Sequence, residues 1–221
     1  MPERYADRTD AGHQLARALA PRYEGRGDVI VLGLPRGGVP VAFEIASALD
    51  APLDVFIVRK IGLPGHEEFG IGAIASGGVR VVDEQVLRAY GVDDATLERI
   101  TERERQELER RERRYRDDRP FPDLRGRSVI LVDDGLATGS TMRAAVAALR
   151  EEAPREIVVA VPVGARETCT ALASHVDDLV CLWTPEPFYA VGLWYENFDQ
   201  TTDEEVHDLL ERAAARVGHR R

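Results

Sequence analysis

Two adjacent carboxylates followed by glycines and hydroxylated residues form the most informative segment of the chain: Val129, Ile130, Leu131, Val132, Asp133, Asp134, Gly135, Leu136, Ala137, Thr138, Gly139, Ser140 and Thr141. The apolar run before Asp133 reads as a buried strand, so both carboxylates stand at its C-terminal end, where open α/β sheets bind ligands. The glycines let backbone N–H groups close on an anion, and a helix opening directly from the loop adds partial positive charge. Thr138, Ser140 and Thr141 add hydroxyl donors. Acceptors for sugar hydroxyls beside donors for a phosphate fit a ribose 5-phosphate. The loop is not a Walker A loop, because the lysine after the glycine is missing.

A second turn, 33–40, follows an apolar run and places Arg36 between Leu34-Pro35 and Gly37-Gly38. A fixed cation on a turn whose glycines permit close approach suits a phosphate. Lys60, next to Arg59, is the only lysine in a chain that otherwise uses arginine for its basic residues. A lone lysine suits a site needing a compact point charge; the competing reading is drift in an arginine-favouring background. The stretch 70–75 has the glycine spacing of a dinucleotide fingerprint but starts no helix after a strand, and it is rejected as one. Residues 184–198 gather aromatics, among them Phe188, Tyr189 and Trp194, on which a planar base could stack.

These residues need an α/β frame, and the order of elements supplies one. Strands are expected at 28–34, 53–59, 128–133, 157–163 and 179–183, with helices at 11–20, 39–49, 141–151 and 166–175. The strands are apolar nearly throughout, as in an open, mostly parallel sheet covered by helices on both faces. Thr202 and Glu205 form a capping box for a C-terminal helix. Between the two halves of the sheet, 62–124 reads as an insertion: a hairpin with Gly77-Gly78 at its turn, then one long charged helix over 93–118. Few apolar positions mark that helix, so a solvated arm or an oligomer contact is expected. One domain over 1–221, with 184–200 as a small hood, accounts for the length.

A formal net charge of −10 argues against a general nucleic-acid binder. No apolar run is long enough to span a bilayer, and a cytoplasmic protein with no membrane partner is expected. Cys169 and Cys181 match no disulfide framework and read as reduced thiols. The scattered histidines lack metal-ligand spacing.

Residues 129–141 resemble, almost position for position, the 5-phosphoribosyl-1-pyrophosphate (PRPP) signature of the type I phosphoribosyltransferases. The resemblance implies that Asp133 and Asp134 hold the ribose 2′- and 3′-hydroxyls while Gly135, Leu136, Ala137, Thr138, Gly139, Ser140 and Thr141 wrap the 5-phosphate. Residues 33–40 resemble the family's pyrophosphate loop, which nominates Pro35, Arg36, Gly37 and Gly38 and implies a cis peptide between Pro35 and Arg36. The stretch 56–65 is similar to the approach to a flexible catalytic loop, with Arg59 and Lys60 facing pyrophosphate and Glu68 in the acidic position that ends the loop. With Arg36, Lys60 and Glu68 are the implied catalytic residues. Residues 184–198 loosely resemble the hood of hypoxanthine-guanine enzymes, with Phe188, Tyr189 and Trp194 as acceptor contacts. Trp194 stands where those enzymes usually carry an aspartate, and Ala137 replaces their loop aspartate, which argues against a 6-oxopurine acceptor of that kind. The implied cofactor is Mg²⁺, chelated chiefly by the pyrophosphate and ribose hydroxyls of PRPP rather than directly by the protein, with Asp133 and Asp134 as candidate contacts. The implied partners are PRPP and a small-molecule acceptor, a nucleobase or another nitrogen compound; the candidate assembly is a homodimer. Two alternatives stand beside this: a PRPP-sensing regulator with little turnover, and an enzyme joining a ribose 5-phosphate ligand to a non-nucleobase acceptor.

Overall fold

The computed structural model describes residues 4–218. Along the chain run helix α1 (Arg8–Tyr23), strand β1 (Val29–Gly33), helix α2 (Gly38–Leu49) and strand β2 (Leu53–Val55). Strands β3 (Val58–Leu63), β4 (His66–Ala75) and β5 (Arg80–Val82) follow, then helices α3 (Glu84–Ala89) and α4 (Asp94–Arg116). The second half is β6 (Ser128–Val132), α5 (Ser140–Glu151), β7 (Glu156–Val163), α6 (Arg166–Ala173), β8 (Asp178–Trp183) and α7 (Asp203–Gly218).

Period-two alternation in β1, β6 and β7 explains the layers. Ile30, Leu32, Val129, Leu131, Ile157 and Val159 turn to one face and meet Met142, Val146 and Leu149 of α5 and Leu172 of α6. Val29, Val31, Ile130, Val132, Val158 and Ala160 turn to the other and meet Leu15 and Leu19 of α1 and Val41, Ile45 and Leu49 of α2. With both faces covered, the strands have no polar side, as the sequence led us to expect. The five strands are all parallel, in the order β2-β1-β6-β7-β8. The order reverses between β1 and β6, so their C-terminal ends flank the topological switch point, where doubly wound sheets open a crevice.

The expected strand at 53–59 is two strands in two sheets. β2 ends at Val55, and β3 belongs to a separate antiparallel sheet, β3-β4-β5. The break lies at Phe56-Ile57, whose buried side chains and backbone bonds to Gly33 and Ser76 anchor the crossing. The hairpin at Gly77-Gly78 forms as expected, both glycines having positive φ, but β3 also pairs with β4 across a turn containing Gly65 (φ 78°). The second sheet thus begins at Val58, ahead of the expected boundary at 62.

The charged helix α4 is no solvated arm. Leu97, Thr101, Leu108 and Tyr115 are buried, three of them in a cluster with Ile61 and Ile71 of the second sheet and Val206 and Leu210 of α7. Its apolar stripe is thin because ion pairs to distant elements supplement it. Arg116 bonds Asp54 at 2.8 Å and Arg114 bonds Asp203 at 2.9 Å. Within the helix Glu107 pairs with Arg111 (2.9 Å) and Arg110 (2.8 Å), and Glu109 with Arg113 (3.9 Å). The capping box of α7 is complete: Glu205 N–H donates to Thr202 Oγ1 (3.1 Å) and Thr202 N–H to the Glu205 carboxylate (2.7 Å). Cys169 and Cys181 are free thiols.

Candidate functional site

The two loops that leave β1 and β6 meet over the switch point. Leu34 N–H donates to Val132 C=O at 2.9 Å, stitching the strand ends together. The Pro35–Arg36 peptide is cis, as the resemblance implied. Gly37 and Gly38 are demanded by proximity. A Cβ on Gly37 would lie 1.9 Å from Asp134 Oδ2, and one on Gly38 would lie 2.6 Å from Val132 O and 2.9 Å from Asp133 Cα. The glycines therefore let the first loop press directly on the paired carboxylates of the second.

Each carboxylate is partly satisfied. Asp133 Oδ1 accepts the Asp134 N–H at 2.9 Å. Asp134 Oδ2 accepts from Arg8 Nε at 2.8 Å, and the Asp134 carbonyl accepts from the Tyr195 hydroxyl at 2.5 Å. Burial pushes the Asp133 carboxyl well above the usual carboxylate range, and the neighbouring Asp134 charge adds to it. Burial also raises Asp134, opposed by the Arg8 guanidinium. Among the described residues no cation touches Asp133. The crevice thus holds two crowded carboxylates with acceptor capacity left over.

Beyond them the loop is pinned at its middle and open at its end. Leu136 exchanges backbone bonds with Val163 (2.9 Å) and Ala165 (2.8 Å) at the end of β7. Thr168 donates its hydroxyl to the Ala137 carbonyl at 2.6 Å. The N–H groups of Ala137, Thr138 and Gly139 enter no hydrogen bond among the described residues. Gly139 takes the left-handed conformation (φ 68°) that turns the chain into α5, where Ser140 begins the helix. Free backbone donors, a helix N-terminus and the hydroxyls of Thr138, Ser140 and Thr141 make an anion cradle.

Arg36 leans toward Asp203 at the start of α7, 3.9 Å away, a carboxylate shared with Arg114 and the Tyr115 hydroxyl. Arg59 and Lys60 are not brought together, since neighbours on a strand face opposite sides. Arg59 bonds Glu104 of α4 at 2.6 Å, whereas exposed Lys60 faces a cavity of about 930 Å³ lined also by Ser140 and Arg143. Glu68 falls within β4, but its side chain lies outside the described residues. In the hood, Phe188 stacks on Trp194 (6.3 Å, 29°), which meets Trp183 edge-on (4.7 Å). Tyr189 is 78% exposed and joins no ring contact among the described residues.

Three residues at the site escaped sequence reasoning. Arg8 carries no local signal, being one arginine among many at the start of a helix. Tyr195 sat unassigned within the aromatic stretch, and its role depends on Asp134, far away in sequence. Thr168 opens α6 with nothing to distinguish it from a surface threonine.

This chain belongs to the phosphoribosyl transferase domain family, whose model matches residues 3–182. It is 47% identical over 209 residues to the Mycobacterium tuberculosis (strain H37Rv) protein named "Putative phosphoribosyl transferase Rv0571c", with 95% of this chain covered. That match takes in 47% of the relative, so the chain spans about half the length of the curated relatives it matches. The "Bifunctional protein PyrR" of Roseiflexus sp. (strain RS-1) is 31% identical over 151 residues, covering 62% of this chain and 56% of that protein. The crystal structure of TT1426 from Thermus thermophilus superposes with a TM-score of 0.84 at 46% identity, covering 95% of this chain and 98% of that one.

Proposed function

We propose that the crevice binds PRPP with Mg²⁺ and transfers its phosphoribosyl group to a nitrogen acceptor, releasing pyrophosphate. The observation that carries this is the contact of two loops at one switch point: Arg36 and the glycines of one press on the carboxylate pair and anion cradle of the other. The ribose hydroxyls donate into the free oxygens of Asp133 and Asp134, and the cradle at 137–141 takes the 5-phosphate. Arg36 lies on the side where pyrophosphate leaves, its present neighbour Asp203 being loose enough at 3.9 Å to give way. The C1–oxygen bond to pyrophosphate breaks, its electron pair leaving with that group, and the acceptor nitrogen's lone pair forms the new bond to C1. The acceptor's proton leaves to solvent or a base. No covalent enzyme nucleophile is required, so the chain's share is positioning, charge neutralisation and water exclusion.

Mg²⁺ fits beside this pair, because hard oxygen donors suit a hard cation. It would be held mainly by PRPP, through the pyrophosphate and the ribose hydroxyls that Asp133 and Asp134 accept. When bound, Mg²⁺ neutralises the pyrophosphate. Trp194 and Ala137 disfavour a 6-oxopurine acceptor, and the stacked Phe188–Trp194 pair offers an aromatic wall to a planar one. The test is pyrophosphate release from PRPP and Mg²⁺ over a panel of purines, pyrimidines and simple amines. Release that depends on one acceptor class identifies the substrate; none with any acceptor contradicts the transferase reading.

A further inference from the structure

The two carboxylates of the crevice are crowded and largely enclosed, and among the described residues the cation that touches one of them comes from a distant part of the chain. Arg8 lies in the first turn of α1, which Asp7 caps by accepting from Asp10 N–H at 2.8 Å. Its guanidinium is fixed on three sides: Nε donates to Asp134 Oδ2 at 2.8 Å, an NH donates to the Asp199 carbonyl at 2.7 Å, and the plane lies 4.0 Å from the Phe198 ring centroid. Both partners of the ion pair are largely buried, at 12% and 14% side-chain exposure. The Tyr195 hydroxyl holds the carbonyl of the same aspartate, and its ring packs in tilted contact with Tyr5 and Phe198. Asp134 is thereby gripped at backbone and side chain by α1 and the hood together.

We propose that Arg8 is a positioning residue for the ribose subsite: by binding one oxygen of Asp134 it fixes that carboxylate against the pyrophosphate loop and leaves the other oxygen as the acceptor for a ribose hydroxyl. The inference rests on the assignment of Asp133 and Asp134 to the ribose diol. The interlock with Gly37 speaks most strongly for positioning. A Cβ there would stand 1.9 Å from Asp134 Oδ2 and 3.2 Å from Arg8 Nε, so the loop passes directly over the bonded pair. Rotation of the Asp134 carboxylate would push the loop that carries Arg36, and Arg8 prevents it. Among the described residues Arg8 is the cation that touches the pair, and the Tyr195 hydroxyl holds the same aspartate from the backbone side.

The test compares ribose 5-phosphate with 2-deoxyribose 5-phosphate by calorimetry on the full chain, in wild type, Arg8→Lys and Arg8→Met. Wild type should prefer the ribose sugar. Arg8→Met should lose ten-fold or more on ribose 5-phosphate and much less on the deoxy sugar, so the preference shrinks. Arg8→Lys restores the charge but not the fork that reaches Asp134 and Asp199 together. It should recover only part of the sugar preference, and it carries the test if Arg8→Met fails to fold. Unchanged sugar preference in a folded Arg8 variant would overturn the inference while leaving the assignment of the aspartates standing. Failure of wild type to bind ribose 5-phosphate at all would overturn that assignment instead.

Discussion

Arg116 and Arg8 both lie against largely enclosed carboxylates, and they are used differently. Arg116, 5% exposed, bonds Asp54 and Glu112 at 2.8 Å each, donates to Ser76 Oγ at 3.0 Å and lies 5.0 Å from the Phe121 ring centroid. Both of its carboxylates are in direct contact, and it ties α4 to β2 and to the turn of the second sheet. Arg8 touches one of its two carboxylates and leaves Asp133 without a cation among the described residues. The first network is closed and serves the fold. The second is short of positive charge by one contact, at the spot where a ligand bringing hydroxyls and Mg²⁺ would complete it. Buried ion pairs do not by themselves mark a site; an incomplete one in a crevice is a candidate for one.

The largest effect should come from breaking the closed network. Arg116→Met leaves Asp54 and Glu112 without their partner and should destabilise the protein by about 3–5 kcal/mol, read from urea unfolding. At a temperature where that variant stays folded, its affinity for PRPP should match wild type. A large loss of affinity without loss of stability would merge the two regions and undo the contrast.

Filling the open network should give the next effect. PRPP with Mg²⁺ at a hundred times its dissociation constant should add about 2.7 kcal/mol of stability. Thermal unfolding with and without the ligand measures it, and the Arg116 variant should gain as much as wild type.

A smaller stabilisation is expected without ligand. The Asp133 carboxyl is raised above its unfolded value, near 3.9. Its contribution to stability is therefore full below that value and is lost as pH rises through the folded value. Asp133→Asn removes the charge and keeps an acceptor for the Asp134 N–H. It should stabilise the ligand-free protein at neutral pH by about 1 kcal/mol, roughly 2–4 °C in melting temperature, with the gain vanishing in acid. A destabilised Asn variant at neutral pH would show that Asp133 serves the fold as Asp54 does.

The smallest effect concerns Lys60. Facing Ser140 and Arg143, it should attract phosphate generally, and Lys60→Met should weaken PRPP and ribose 5-phosphate about equally, by less than ten-fold. A loss confined to PRPP would place it at the pyrophosphate end instead, as the sequence alone had led us to expect.

What could be read from the sequence followed the range of the interactions. The strand–loop–helix at 128–151, the two glycines after Arg36 and the capping box at Thr202 are all set by residues close in the chain, and their spacing revealed them. The division at Phe56-Ile57 was hidden because an apolar run of that length fits one strand as well as two. The packing of α4 was missed because Arg116–Asp54 and Arg114–Asp203 join segments far apart in sequence, where helical spacing carries no information. Arg59 and Lys60 were assigned together on the resemblance of 56–65 to the approach to a catalytic loop, and the strand sends them to opposite faces, Arg59 to Glu104 and Lys60 to the cavity beside Ser140. Arg8 is the sharpest case: its partner Asp134 was plain in the sequence, and nothing near position 8 points to it.

The most direct test of the central claim is a calorimetric titration of PRPP with Mg²⁺ into wild type and into the double variant Asp133→Asn, Asp134→Asn, with thermal unfolding of the same ligand-free samples. The account predicts that the variant stays folded yet binds PRPP at least 100-fold more weakly, about 2.7 kcal/mol. Wild-type affinity in the folded double variant would contradict it, because the carboxylate pair would then have no part in holding the ribose.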